Sequence, residues 1–91
     1  MRELVRTATY RADLDDIERY IARDNPVAAA RLCDLIDDQA DQLADPNFPR
    51  RRGRVKGTFE LVVHKHYVVV FTDDQTTVTL LNVIHSSRKY P

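Results

Sequence analysis

Residues 53–71 read GRVKGTFELVVHKHYVVVF, and this stretch decides the fold. From Thr58 to His64, and again from Tyr67 to Thr72, the chain is dominated by valine, leucine and aromatic residues. These side chains fit a pleated, half-buried surface. The interruption at His64-Lys65-His66 leaves room only for a tight reversal. A third run of the same kind, Thr76 to Ile84, follows the equally short Asp73-Asp74-Gln75. Three such runs with turns this brief predict a meander of consecutive antiparallel strands.

Upstream, residues 46–57, PNFPRRRGRVKG, combine prolines, glycines and clustered charge, and read as a loop. Before it the apolar period lengthens from two to that of a helix. Val27, Ala30, Leu32, Leu35, Ile36, Ala40 and Leu43 give one apolar side over roughly 26–44. Asn25 is a favoured N-cap, Pro26 suits the first helical position, and Asp45-Pro46 stops the run. A preceding helix over roughly 10–23 carries Tyr10, Leu14, Ile17, Tyr20 and Ile21, with Thr9 as its expected cap. Asp24-Asn25-Pro26 is so short a joint that the helices must form an antiparallel αα-hairpin. Residues 2–7, RELVRT, read as a first strand. The expected fold class is α+β, in the order β-α-α-β-β-β. An antiparallel-rich sheet would carry the helical hairpin on one face, as a single domain over residues 1–91.

Composition narrows the function classes. Ninety-one residues, 43% hydrophobic and 31% charged, supply one core and no second. The absence of a run of about 18 apolar residues argues against a membrane partner. The first sixteen residues hold no apolar segment, so no signal peptide is expected. Cys33 is the single cysteine, which excludes an intrachain disulfide and fits a reducing cytoplasm. The formal net charge is zero, but residues 1–49 hold six Lys/Arg against eleven Asp/Glu, and residues 50–91 hold eight against three. Neutrality argues against indiscriminate nucleic-acid binding, while the basic second half can still offer one phosphate-facing surface.

The segments ADLDDIERYIARDNPVAAARL (12–32), GRVKGTFELVVHKHYVVVF (53–71) and VTLLNVIHSSRKYP (78–91), in this order and spacing, resemble the RelE/ParE toxin superfamily. The resemblance covers nearly the whole chain from residue 8. It implies the toxin of a bacterial type II toxin–antitoxin system, neutralised by a cognate antitoxin in a heterodimer or heterotetramer. RelE-like members act on the ribosome and cut mRNA; ParE-like members inhibit DNA gyrase. Neither kind requires a metal or organic cofactor.

Metal-free RNA cleavage needs a proton acceptor for the 2′-hydroxyl, cations on the phosphate and an acid for the leaving oxygen. His85, Arg88 and Tyr90 have suitable chemistry. The resemblance to RelE-like endings makes His85 or Tyr90 the acid/base and Arg88 the phosphate ligand; the plainer reading is a strand end and an edge contact. Arg50, Arg51, Arg52, Arg54 and Lys56 place five positive charges within seven residues, where they can grip a nucleic-acid backbone or pair with the acidic helices. Val27, Leu43, Phe48 and Phe59 are the expected antitoxin contacts. His64 and His66 lack the companion ligands of a four-coordinate site, so no metal is expected. Two departures from the superfamily pattern bear on activity. Phe59 stands where arginine is usual after Gly-Thr, and Asn82 where the last strand usually carries arginine. The reading that follows is a ribosome-dependent mRNA endonuclease; the alternatives are a non-enzymatic gyrase inhibitor and a weakened toxin kept as an antitoxin-binding module.

Overall fold

The computed structural model describes residues 1–64 and 66–86. Strand β1 (Glu3–Arg6) leads into helix α1 (Ala8–Ala22) and helix α2 (Pro26–Asp41), which ends in a 3-10 turn at Gln42–Ala44. Strands β2 (Arg51–Arg52), β3 (Phe59–His64), β4 (Tyr67–Asp73) and β5 (Thr77–His85) follow. They form one five-stranded sheet in the order β1-β5-β4-β3-β2. β1 lies parallel to β5, and every other pairing is antiparallel. The α+β architecture is the one read from the sequence, with one addition. Arg51 and Arg52, expected in a loop, pair with Glu60 and Phe59 as a short edge strand.

Local chemistry explains the helix ends. Asn25 Oδ1 accepts from the Ala28 N–H at 3.0 Å, and Pro26 occupies the first turn, where its missing N–H has no partner to lose. The α1 cap is Thr7 rather than Thr9: Thr7 Oγ1 accepts the Tyr10 N–H. Thr9 Oγ1 instead donates to the Leu81 carbonyl at 2.7 Å. This arrangement follows from β1 being shorter than β5. β1 stops at Arg6, opposite Leu80, and the edge of β5 beyond that point needs other partners. Thr7 donates to the Leu80 carbonyl, Thr9 to Leu81, and Asp13 accepts the Val83 N–H at 2.9 Å. The first half of α1 thus caps the open edge.

The apolar spacing in β5 records a bulge. Val78, Leu80 and Val83 are all buried, two and then three residues apart, because the register shifts between Val70↔Asn82 and Phe71↔Leu80. Leu81 is the extra residue, and it lets both flanking segments face the helices. Ile36, Ala40 and Leu43 meet Leu61, Val69, Phe71, Val78, Leu80 and Val83 to form the core, with Tyr10 from α1. The buried Tyr10 hydroxyl donates to Asp37 at 3.0 Å, and the same carboxylate accepts from Arg6 Nε at 2.9 Å. β1, α1 and α2 therefore meet on one carboxylate. Burial, and then Asp37, hold the Tyr10 phenol above its ordinary value.

A second carboxylate, Asp73, joins elements far apart in sequence. Arg2 Nε lies 2.6 Å from one oxygen and Arg50 Nη1 2.7 Å from the other. Arg50 also donates to the carbonyls of Leu43, Asp45 and Phe48, and its guanidinium sits 5.6 Å from the centre of the Phe71 ring. Its side chain is only 11% exposed. Arg50→Ala leaves Asp73 and three carbonyls short of a donor in a largely buried setting and should cost about 3 kcal/mol in urea unfolding. Arg52→Ala, at an exposed position, should stay within about 0.5 kcal/mol.

The turn after β4 depends on Asp74, whose Oδ1 accepts from the N–H groups of Thr77 and Thr76 and from the Thr76 hydroxyl. These bonds hold the Asp74 carboxyl below its ordinary value of 3.8. The carboxylate's contribution is therefore complete above that value and is lost as pH falls through the depressed one. The difference in thermal midpoint between the wild type and Asp74→Ala should accordingly shrink on acidification below 3.8.

Candidate functional site

Three surfaces carry chemistry. The first lies at the end of the sheet where β3, β4 and β5 finish together. The register places His64 opposite Tyr67 and Tyr67 opposite His85, so alternation puts all three on the helix-facing side. His85 meets the Tyr67 ring edge-on at 5.3 Å and lies parallel to His66 at 5.5 Å, and His66 is 5.6 Å from His64. All three histidines of the protein thus converge, although the sequence separates His85 from the others by nearly twenty residues. Among the described residues, the buried Nδ1 of His64 has no hydrogen-bond partner. A cleft of about 630 Å³ opens from this cluster toward α1, lined by Asp13, Ile17, Tyr20, Arg23, Tyr67 and His85 among others. Arg88 and Tyr90, expected to act with His85, lie outside the described residues. Among the described residues, no three His, Cys, Asp or Glu side chains are grouped to hold a metal ion.

The second surface is the hairpin formed by β2, the loop 53–58 and the start of β3. Its five expected cations divide. Arg50 turns inward onto Asp73, as described above, so its expected place among the nucleic-acid contacts is corrected: its donors are committed within the fold. Arg51, Arg52, Arg54 and Lys56 are exposed. Glu60, 2% exposed, anchors the loop from beneath: it accepts from Arg51 Nη2 at 3.0 Å and from the Arg54 N–H at 3.1 Å.

The third surface is the outer side of α2. Val27 and Leu35 are exposed and, with Leu32, Arg31 and His64, line a shallow groove of about 430 Å³. Of the expected antitoxin contacts, Val27 is on this surface. Leu43 is not: it is fully buried and belongs to the core, a correction with a plain cause, since the 3-10 turn rotates it beneath β5 and β1. Phe48 is half-buried against the core, and Phe59 stacks on Phe71 at 5.8 Å. Leu35 and His64 were missed as groove residues. The spacing of Val27, Arg31 and Leu35, four residues apart, is the signal that a second stripe exists beside the core stripe of Ala29, Ile36 and Ala40.

Both departures from the superfamily pattern now have structural roles. Phe59 fills the core margin. Asn82 Nδ2 donates to Asp13 at 3.0 Å, securing α1 to β5. Burial, and then Glu18, Asp34 and Asp15, push the Cys33 thiol up to about 11, which disfavours its reactive thiolate. Its Sγ donates to the Leu14 carbonyl at 3.6 Å.

The sequence profile of the ParE toxin of the type II toxin–antitoxin system parDE matches residues 4–90. The chain belongs to the ParE toxin family. It is a type II toxin, the kind whose partner is a cognate antitoxin. It is 36% identical over 78 residues to a Sinorhizobium fredii protein named "Putative toxin Y4kP", covering 86% of this chain and 81% of the relative. Two solved structures share the fold. The chromosomal ParDE toxin–antitoxin system from P. aeruginosa superposes with a TM-score of 0.81 at 22% identity, covering 93% of this chain and 96% of that one. The RelBE2 toxin–antitoxin complex from Mycobacterium tuberculosis gives 0.67 at 24% identity, covering 96% and 93%. Among the described residues of this toxin, no helix is long and apolar enough to cross a membrane.

Asp13 joins α1 to the bulged strand beside the cleft. Asp13→Ala removes the acceptor of the Val83 N–H and of Asn82, and should lower stability by about 1–3 kcal/mol in denaturant unfolding. Thiol titration of the native toxin at pH 8 should likewise find Cys33 reacting far more slowly than after unfolding.

Proposed function

We propose that this ParE-family toxin inhibits DNA gyrase by binding it, without cleaving RNA, and is silenced by its cognate antitoxin. The observation that carries the reading is the fate of the cations and polar groups around the sheet. A metal-free ribonuclease must aim charge at a phosphate as it becomes more negative. Here Arg2 and Arg50 are committed to Asp73, Arg6 to Asp37 and Asp41, and Asn82 to Asp13, while Phe59 occupies a position usual for arginine in the superfamily. Recognition of a large protein by shape asks none of these groups to be available. The match to the ParE toxin model supports the same reading.

A second reading, ribosome-dependent mRNA cleavage, is favoured by the convergence of His85, His66 and Tyr67 beside an open cleft, with Arg88 and Tyr90 following in sequence. Induction of the chain without antitoxin, with pulse labelling of protein and mRNA, separates the two. The expected result is continued translation with filamentation and a DNA-damage response, together with loss of supercoiling activity when purified gyrase meets the toxin. Early collapse of translation with cut transcripts would replace the gyrase reading by the nuclease one. Induction without any effect on growth would leave a partner-binding module.

The antitoxin's seat in this reading is the α2 groove, where Val27 and Leu35 expose apolar surface that an amphipathic segment can cover. Val27→Asp with Leu35→Asp should abolish co-purification with the cognate antitoxin while leaving the melting temperature of the toxin nearly unchanged; retained binding would place the seat elsewhere.

A further inference from the structure

We propose that the hairpin of residues 51–60 is a binding site for the phosphodiester backbone of a nucleic acid, with Arg51, Arg52, Arg54 and Lys56 as its contacting cations. The sequence alone leaves open whether these charges simply neutralise the acidic helices. Three of the helix carboxylates are taken up away from the hairpin, Asp37 and Asp41 by Arg6 and Asp16 by Arg19. Glu60 pairs with Arg51 at 3.0 Å and with Arg54 at 3.9 Å, while Arg52 and Lys56 have no carboxylate partner among the described residues.

The loop is also built rather than loose. The Gly53 N–H donates to the Thr58 carbonyl at 2.9 Å, and the Thr58 N–H and hydroxyl both donate to the Val55 carbonyl. Gly57 takes a φ of +86°, a conformation that a side chain would oppose. A Cβ at Gly53 would lie 2.3 Å from Thr58 Oγ1, so the turn closes tightly there. Glu60 fixes the underside, through the Arg54 N–H and the Arg51 guanidinium. Arg51 nevertheless leaves 57% of its side chain in solvent, and Arg52 and Lys56 are exposed without a carboxylate partner among the described residues. A cation held on a fixed backbone loses less freedom on meeting a phosphate, and the arginine fork matches phosphate oxygens. The whole chain has no net charge, so attraction to a polyanion must come from this local excess.

Backbone phosphates are common to duplex DNA and single-stranded RNA, and a salt titration on both reads the contacts directly. The full chain would be titrated by fluorescence anisotropy onto a labelled 20-base-pair duplex and a labelled 20-nucleotide RNA, between about 50 and 200 mM NaCl. With four phosphate contacts on the duplex, log K should fall against log salt with a slope of about −3.6, a loss of roughly a hundredfold across that range. Arg52→Ala with Lys56→Ala should make the slope less negative by about 2 and weaken binding at the lowest salt at least tenfold. Arg52→Gln with Lys56→Gln, which keeps more of the side-chain length, should do the same. Arg11→Ala, an exposed cation on α1 away from the cleft, is the control and should match the wild type. Tighter binding to the duplex assigns DNA as the source of the phosphates, tighter binding to the single strand assigns RNA, and both support the site. No binding by the wild type at the lowest salt, an unchanged slope in the hairpin variants, or an equal loss in the α1 control would overturn it. The inference does not rest on the gyrase reading. Gyrase inhibition without nucleic-acid binding removes only this site, and binding without inhibition removes only that reading.

Discussion

The Asp73 carboxylate, 9% exposed, takes Arg2 on one oxygen and Arg50 on the other, and much of the molecule is arranged around that fact. Two guanidinium groups on one carboxylate leave neither charge unpaired in a poorly solvated place, which is the condition for keeping an ion there at all. The geometry has a longer reach. Arg2 brings the start of β1 to the end of β4, so β1 can run parallel beside β5. Arg50 turns the chain inward after Phe48, closes over Leu43 and Phe71, and releases the next residues at the opposite edge of the sheet. Where the basic hairpin emerges is thus decided by a residue of the same charge that never reaches the surface.

A similar logic governs the α1 side. β5 is longer than its parallel neighbour, and an open strand edge invites unwanted pairing. Thr7, Thr9 and Asp13 take up that edge by side-chain hydrogen bonds, and the bulge at Leu81 turns Leu80 and Val83 together toward the helices. Asn82 is drawn into the same arrangement. Its departure from the superfamily pattern reads as a lost cation in sequence, while in the fold it is a bond that fastens the helical hairpin to the sheet. Phe59 behaves alike, exchanging a surface charge for contact with Phe71. Both residues thereby join parts of the scaffold.

Of the surfaces that remain, the basic hairpin is set apart from the other two. The histidine cluster and its cleft lie at one end of the sheet under α1, the basic hairpin lies at the β2 edge, and the apolar stripe runs along the outside of α2. His64 lines the α2 groove and also touches the histidine cluster, so the antitoxin's proposed seat adjoins the cleft.

Much of this was legible in the residues. Valine-rich runs separated by short turns could only be a meander, and Asn25-Pro26 could only start a helix, because those preferences are set by local sterics and hydrogen bonding. The family followed from the order of the same segments. What sequence could not assign was direction and pairing. Val27, Leu35 and Leu43 share one apolar pattern, yet two are exposed and one is fully buried, because Leu43 sits in the 3-10 turn within the core while Val27 and Leu35 line the groove. Arg50 and Arg52 are neighbours of identical type, and only the distant Asp73 separates a structural ion from a candidate ligand. The meeting of His64, His66 and His85 depends on strand register, and the capping of β5 by Asp13 joins residues seventy positions apart. Local physics wrote the elements into the chain; which charges and apolar faces were left for function was decided by contacts between residues far apart in sequence, which exist only once the sheet has closed against the helices.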